Sequence, residues 1–200
     1  MRGKSMKHLV ITIGCEYGAK GNAIGKKIAQ DLGIKFYDRD LVDEIIKEVG
    51  IPTDIMDRVE EGGTIAGKGA QGDVRGSFSK YADLTDRAIH VQKQIIRKLA
   101  QKEACVIIGR SADYILKDRD DVLNVFIHGN MPEKIQRICK LHNTSEADAV
   151  KMINDIDKRR MTNYNFYTDQ KWGKAANYTL CLNSSQLGYD KCESIIIECV

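Results

Sequence analysis

The sequence predicts an α/β chain of three layers, with helices on both faces of a parallel sheet. Short apolar runs rich in β-branched residues alternate with longer stretches of helical period. A glycine-dense turn joins the first apolar run to the first helix. At 200 residues, with no internal repeat and no second core, one domain over 1–200 is expected.

His8–Ile13 (HLVITI) is the first buried strand, apolar throughout as a strand covered on both faces must be. Ile24, Ile28, Ala29 and Leu32 then recur at helical spacing until Gly33 stops the helix. Lys35–Tyr37 reads as a short strand, and Leu41–Val49 as a helix ended by Gly50 and Pro52. Residues 60–82 begin with a glycine-rich stretch poor in large apolar residues and are expected to form a mobile insertion. A helix from about Asp83 to Gln101 carries Leu84, Ala88, Val91, Ile95 and Leu99 on one face. Ala104–Ile108 and Val122–Ile127 are further strands. Pro132 opens a helix to about His142, and Ser145 caps another that continues to Arg159. Met161–Lys174 is polar and aromatic without a period, so 159–174 is expected to be an irregular lid. Tyr178–Leu182 is a last strand and Tyr189–Glu198 a last helix.

Hydrophobic residues at 42% and charged residues at 30% describe an ordinary soluble chain, and a net charge of +3 is too mild to call for a nucleic acid polymer. Lysines in Lys134–Lys140 and Lys151–Lys158 sit among acids and suggest solvated helix faces. No run approaches the roughly 20 apolar residues of a membrane span, and the basic Met1–Lys7 precedes too short an apolar run for a secretory signal. Six cysteines form no C-x-x-C pair, and Cys105 and Cys181 lie in apolar runs where they would pack as small hydrophobes. A reduced, cytoplasmic setting is expected. The four histidines lack ligand spacing, so no metal site is expected.

The chemistry concentrates in Gly14-Cys15-Glu16-Tyr17-Gly18-Ala19-Lys20-Gly21-Asn22. Glycines allow a tight turn with N–H groups pointing inward, and the following helix adds its positive end. Phosphate is the expected ligand. Set against G-x-x-x-x-G-K-[ST], with Gly21 and Asn22 at the lysine and hydroxyl places, Lys20 stands one place early and Lys26 too late.

With its neighbours, the loop resembles the cytidylate kinase-like family. The blocks that carry the likeness are residues 11–42 (ITIGCEYGAKGNAIGKKIAQDLGIKFYDRDLV), 85–99, 105–116 (CVIIGRSADYIL) and 159–188. The resemblance implies a P-loop nucleotide-kinase fold, ATP with Mg²⁺ as donor, and a nucleoside monophosphate such as CMP or dCMP as acceptor. It implies that Gly18, Ala19, Lys20, Gly21, Asn22 and Ala23 hold the donor's phosphates. Arg110, directly after the VIIG run, matches an arginine that grips the acceptor phosphate, a task suited to a planar, permanently charged fork. Arg159 and Arg160 match a lid that closes on the phosphates, so Lys20, Arg110, Arg159 and Arg160 are the expected catalytic cations. Asp38, Arg39 and Asp113 join Arg110 on the acceptor side, with Asp38 and the nucleotide holding Mg²⁺. Tyr164, Phe166, Tyr167 and Trp172 either stack on a base or, for most of them, pack the lid.

Two other readings share parts of this pattern. Gly14-x-x-x-Gly18 with Tyr167-x-x-x-Lys171 has the spacing of a short-chain dehydrogenase, although that pair needs a helix to face one way. A non-catalytic nucleotide-binding protein would equally account for a P-loop that departs from the Walker pattern.

Overall fold

The computed structural model describes residues 10–38, 40, 50 and 75–200, with 75–85 as backbone alone. Arg39, the expected helix over 41–49 and the insertion up to residue 74 lie outside the described residues. The strands are β1 (Val10–Cys15), β2 (Lys35–Tyr37), β3 (Cys105–Ile108), β4 (Val122–His128) and β5 (Leu180–Asn183). They form one five-stranded sheet in the order β2-β3-β1-β4-β5, and every pairing is parallel. Helix α1 (Gly21–Leu32) follows β1, α2 (Arg75–Lys102) precedes β3, and the short α3 (Ala112–Ile115) follows it. Helices α4 (Met131–His142) and α5 (Glu146–Tyr167) lie between β4 and β5, and α6 (Ser184–Leu187) and α7 (Tyr189–Glu198) close the chain.

Alternation along the strands explains the two cores. Ile11 and Ile13 point to one face, where they meet Ile24 and Ile28 of α1, Val106, Ile108, Val125 and, from α7, Cys192 and Ile196. Val10, Cys105 and Ile107 point to the other, against Ala88, Ile95 and Ile96 of α2 and Ile115 of α3. A sheet apolar on both faces must be covered twice, and α1 with α7 on one side and α2 with α3 on the other do so. A third cluster, Ile138, Ala149 and Ile153, holds α4 against α5.

Several expectations need correction. Residues 75–82 belong to a helix rather than to an insertion, because α2 begins at Arg75. The expected irregular lid is helical over its first part, since α5 runs from Glu146 to Tyr167 with Ser145 as its cap (Asp148 N–H to Ser145 Oγ, 3.2 Å). Its final turns show no apolar period because they bury one residue, Tyr164, against the body. Cys181 is exposed rather than packed, since β5 forms an edge of the sheet. Lys140, Lys151 and Lys158 are solvated as expected, whereas Lys134 is 4% exposed. No helix among the described residues is long and apolar enough to cross a membrane.

Candidate active site

β1 lies between β3 and β4, and the chain visits β2 and β3 on one side before crossing to β4 on the other. That reversal opens a crevice at the strands' carboxyl ends, where an open parallel sheet binds its ligand. The loop after β1 fills the mouth of this crevice. Gly18 turns with φ 82°, and a Cβ there would come 3.1 Å from Lys134 Cβ. Gly21 packs closer still: a Cβ would stand 2.5 Å from Cys15 Cβ, so no larger residue fits the first position of α1. The loop is pinned by Glu16 N–H to Ile127 O (3.0 Å), Ala19 N–H to Glu16 O (3.1 Å) and Ser184 Oγ–H to Ala19 O (2.9 Å). Lys20 precedes α1 with φ 62° and offers its N–H groups no side-chain cap. An uncapped helix start presents partial positive charge to an anion.

Gly21 and Asn22 stand at the lysine and hydroxyl places of G-x-x-x-x-G-K-[ST], and Lys20, one place earlier, takes the left-handed conformation that suits a glycine there. Its ammonium lies 4.4 Å from the centroid of the Tyr189 ring, and the Arg137 guanidinium lies 4.9 Å from the same centroid. Lys20, Asn22 and Ala23 are exposed, while Ala19 and Gly21 are buried.

An ion network underpins the loop. Lys134 Nζ reaches Glu16 Oε2 at 2.9 Å and Asp157 Oδ2 at 3.4 Å. Glu16 Oε2 also accepts the Gly129 N–H at 3.2 Å, and Asp157 Oδ1 accepts the Tyr17 N–H at 2.7 Å. Burial pushes the Asp157 carboxyl above the usual carboxylate range, against the pull of Lys134 and Arg160. Arg137 Nη1–H donates to the Gly18 carbonyl. Arg160 Nη1–H donates to the Cys15 carbonyl at 2.8 Å, with its guanidinium 5.8 Å from the Tyr17 ring centroid. Helices α4 and α5 thus both grip the loop from behind.

Between the loop, the end of β3 and α5 lies a cavity of about 420 Å³. Arg110, Arg159 and Arg160 all line it, as do Gln92, Asp113 and Tyr164. Arg110 is aimed by an unusual turn: Gly109, Arg110 and Ser111 have φ 68°, 56° and 52°, successive left-handed residues of which only the first is glycine. Asp113 on α3 is buried, and its Oδ2 accepts the Tyr164 hydroxyl at 2.7 Å. Burial raises its pKa, partly offset by that hydrogen bond and by backbone amides. Trp172 and Tyr178 line the cavity while packing on Phe126, with ring centroids 5.2 Å and 5.0 Å away. Phe166 is exposed and packs edge-on against Tyr167.

Of the residues singled out from sequence, Arg110, Asp113, Arg159 and Arg160 therefore come together at one cavity. Lys20 belongs to the opposite flank of the loop, toward Tyr189 on α7. Asp38 stands just beyond β2, which β3 separates from β1. Tyr167 is the last residue of α5 and Lys171 lies past its end, so the dehydrogenase spacing does not place the two on one helix face.

Two residues were passed over. Gln92 falls at helical spacing within the apolar stripe of α2, four residues after Ala88, and a polar residue in such a stripe was the available signal. Lys134 carried no signal, since its neighbours Glu133 and Lys140 read as a solvated face.

The model of the cytidylate kinase-like family matches residues 10–186. Among solved structures, an uncharacterized protein from Eubacterium ventriosum is 27% identical, with a TM-score of 0.74 over 94% of this chain and 96% of that one. Shikimate kinase from Acinetobacter baumannii superposes with a TM-score of 0.52 at 15% identity, over 96% of this chain and 93% of that one. A gluconokinase from Sinorhizobium meliloti gives 0.51 at 14% identity, over 97% and 95%. These last two likenesses are of fold, and the five-stranded parallel sheet with helices on both sides is the P-loop kinase architecture. No curated protein matches the chain.

Proposed function

We propose that this chain, which belongs to the cytidylate kinase-like family, is a phosphotransferase that moves the γ-phosphoryl group of ATP to a nucleoside monophosphate, with CMP or dCMP as leading candidates. The observation that carries the reading is the meeting of Arg110, Arg159 and Arg160 around one cavity beside a phosphate loop.

Phosphoryl transfer requires two anions to be held in line and their repulsion offset, with little covalent work by the protein. The residues divide into two flanks suited to that task. On the donor flank, the uncapped start of α1 from Gly18 to Ala23 and the Lys20 ammonium offer N–H groups and positive charge, a chemistry that fits a polyphosphate. On the acceptor flank, Arg110 presents a planar fork to the acceptor's phosphate. Arg160, hydrogen-bonded to the loop itself, stands between the flanks, and Arg159 closes the rim. ATP supplies the transferable group and Mg²⁺ travels with it, with the Asp38 carboxylate as an oxygen donor on the protein side. Arg39 is assigned to the acceptor side from its place after Asp38 in the sequence.

A coupled assay with ATP, Mg²⁺ and each nucleoside monophosphate in turn tests this. Turnover with one acceptor is expected. ATP binding without turnover on any acceptor would instead favour a non-catalytic nucleotide-binding protein. That second reading draws on Gly21 and Asn22 in place of the lysine and hydroxyl residues and on the Lys20 ammonium resting on Tyr189.

A further inference from the structure

Gln92 lies on α2 and is 8% exposed, in a stripe otherwise given to Ala88, Ile95 and Ile96. Its Nε2–H donates to the Arg110 carbonyl at 3.2 Å. That bond fixes the amide's orientation, because a flipped amide would set oxygen against oxygen. Oε1 is consequently held on the other side, buried and without a donor among the described residues, in a residue that lines the cavity. A buried amide oxygen is costly to leave unmet, whereas a ligand N–H or O–H arriving there recovers a hydrogen bond at low dielectric. The neighbouring polar group on the cavity floor, Asp113, already has the Tyr164 hydroxyl on its Oδ2.

We propose that Gln92 is a specificity-determining residue: its Oε1 accepts a hydrogen bond from an N–H of the base of the nucleoside monophosphate whose phosphate Arg110 holds. The inference rests on the acceptor reading above and adds the residue that recognises the rest of the acceptor. One side chain would thus serve both ends of the ligand, steadying the turn that carries Arg110 through Nε2 and reading the base through Oε1. A site built to accept a donor discriminates strongly against molecules that lack it, because the protein group is then left buried and unpaired.

The test is equilibrium binding by calorimetry of inorganic phosphate, CMP, UMP, AMP and GMP to the unmodified chain, Gln92→Met and Gln92→Glu. In Gln92→Met the tightest nucleotide should weaken by about tenfold, while inorganic phosphate, which reaches Arg110 alone, stays within about twofold. Gln92→Glu keeps an oxygen acceptor but sets its second oxygen against the Arg110 carbonyl, so both ligands should weaken while the nucleotide keeps its preference over phosphate. Loss of that preference would overturn the inference even if the methionine variant fails to fold. Nucleotide binding unchanged in Gln92→Met would overturn the inference alone. Equal loss of nucleotide and phosphate in that variant would do the same, by showing that the residue acts only through the Arg110 turn. An unmodified chain that binds phosphate but none of the nucleotides would overturn the acceptor reading and this inference together.

Discussion

Replacing Lys134 by methionine keeps most of the side chain's volume and removes the charge that holds the phosphate loop from below. The lysine side chain is 5% exposed, and its partners Glu16 and Asp157 are 27% and 17% exposed. Breaking a fully buried ion pair by removing one partner costs about 3–5 kcal/mol. Here both carboxylates are partly wetted, and each keeps a backbone N–H, from Gly129 and Tyr17. A loss below that range, about 2–3 kcal/mol, is therefore expected. For a chain of this length that corresponds to a fall of roughly 5–10 °C in Tm. The loss should depend on pH in a definite direction. Burial already raises the Asp157 carboxyl, and removing Lys134 takes away one of the charges that lower it. The folded variant then binds a proton that the unfolded chain releases, so stability falls as pH rises from the unfolded pKa through the folded one. The penalty should be complete at neutral pH and smallest in acid. Thermal melts followed by circular dichroism between pH 4 and 8 measure it. A Tm at pH 7 within a degree of the unmodified chain, or a penalty that grows toward acid, would refute the network's role.

Three further outcomes are expected. Asp113→Asn should be at least as stable as the unmodified chain near neutral pH. Its stability should also fall less as pH rises through the acid range, because the raised Asp113 pKa favours the protonated carboxyl; an unchanged slope in denaturant melts would contradict this. Arg110→Ala should raise the KM for the acceptor and lower kcat, with the KM for ATP little changed, since a charge-assisted contact of about 1.5–3 kcal/mol is lost; steady-state kinetics varying each substrate reads it. Gly21→Ala should destabilise the chain by about 1–3 kcal/mol and weaken ATP binding, because its Cβ would stand 2.5 Å from Cys15 Cβ.

The sequence made the sheet readable because its central strands are largely apolar on both faces and stop at glycine or polar residues, as Cys105–Ile108 does before Gly109. Ser145 and the span of α7 were readable for equally local reasons, a capping hydroxyl and a regular apolar face. The second half of α5 was not. Its residues Arg159 to Tyr167 face the cavity, the loop and solvent in turn, so no hydrophobic period marks them as helical. The charge of Lys134 looked solvated because its partners are 118 and 23 residues away in the chain. At the site, Arg110 was legible from its place after a buried strand. The left-handed turn that aims it was not, because Arg and Ser carry no local preference for that conformation.

That turn sets a trap for anyone redesigning the chain. Left-handed backbone costs a residue with a Cβ about 1–2 kcal/mol, and Arg110 and Ser111 incur it side by side. A stability-guided search would pick Ser111→Gly early, since the change releases strain at φ 52°. It would also let the arginine's backbone wander at the point where its direction is fixed. Variants that melt later and hold the acceptor's phosphate more loosely are the expected harvest of such a campaign.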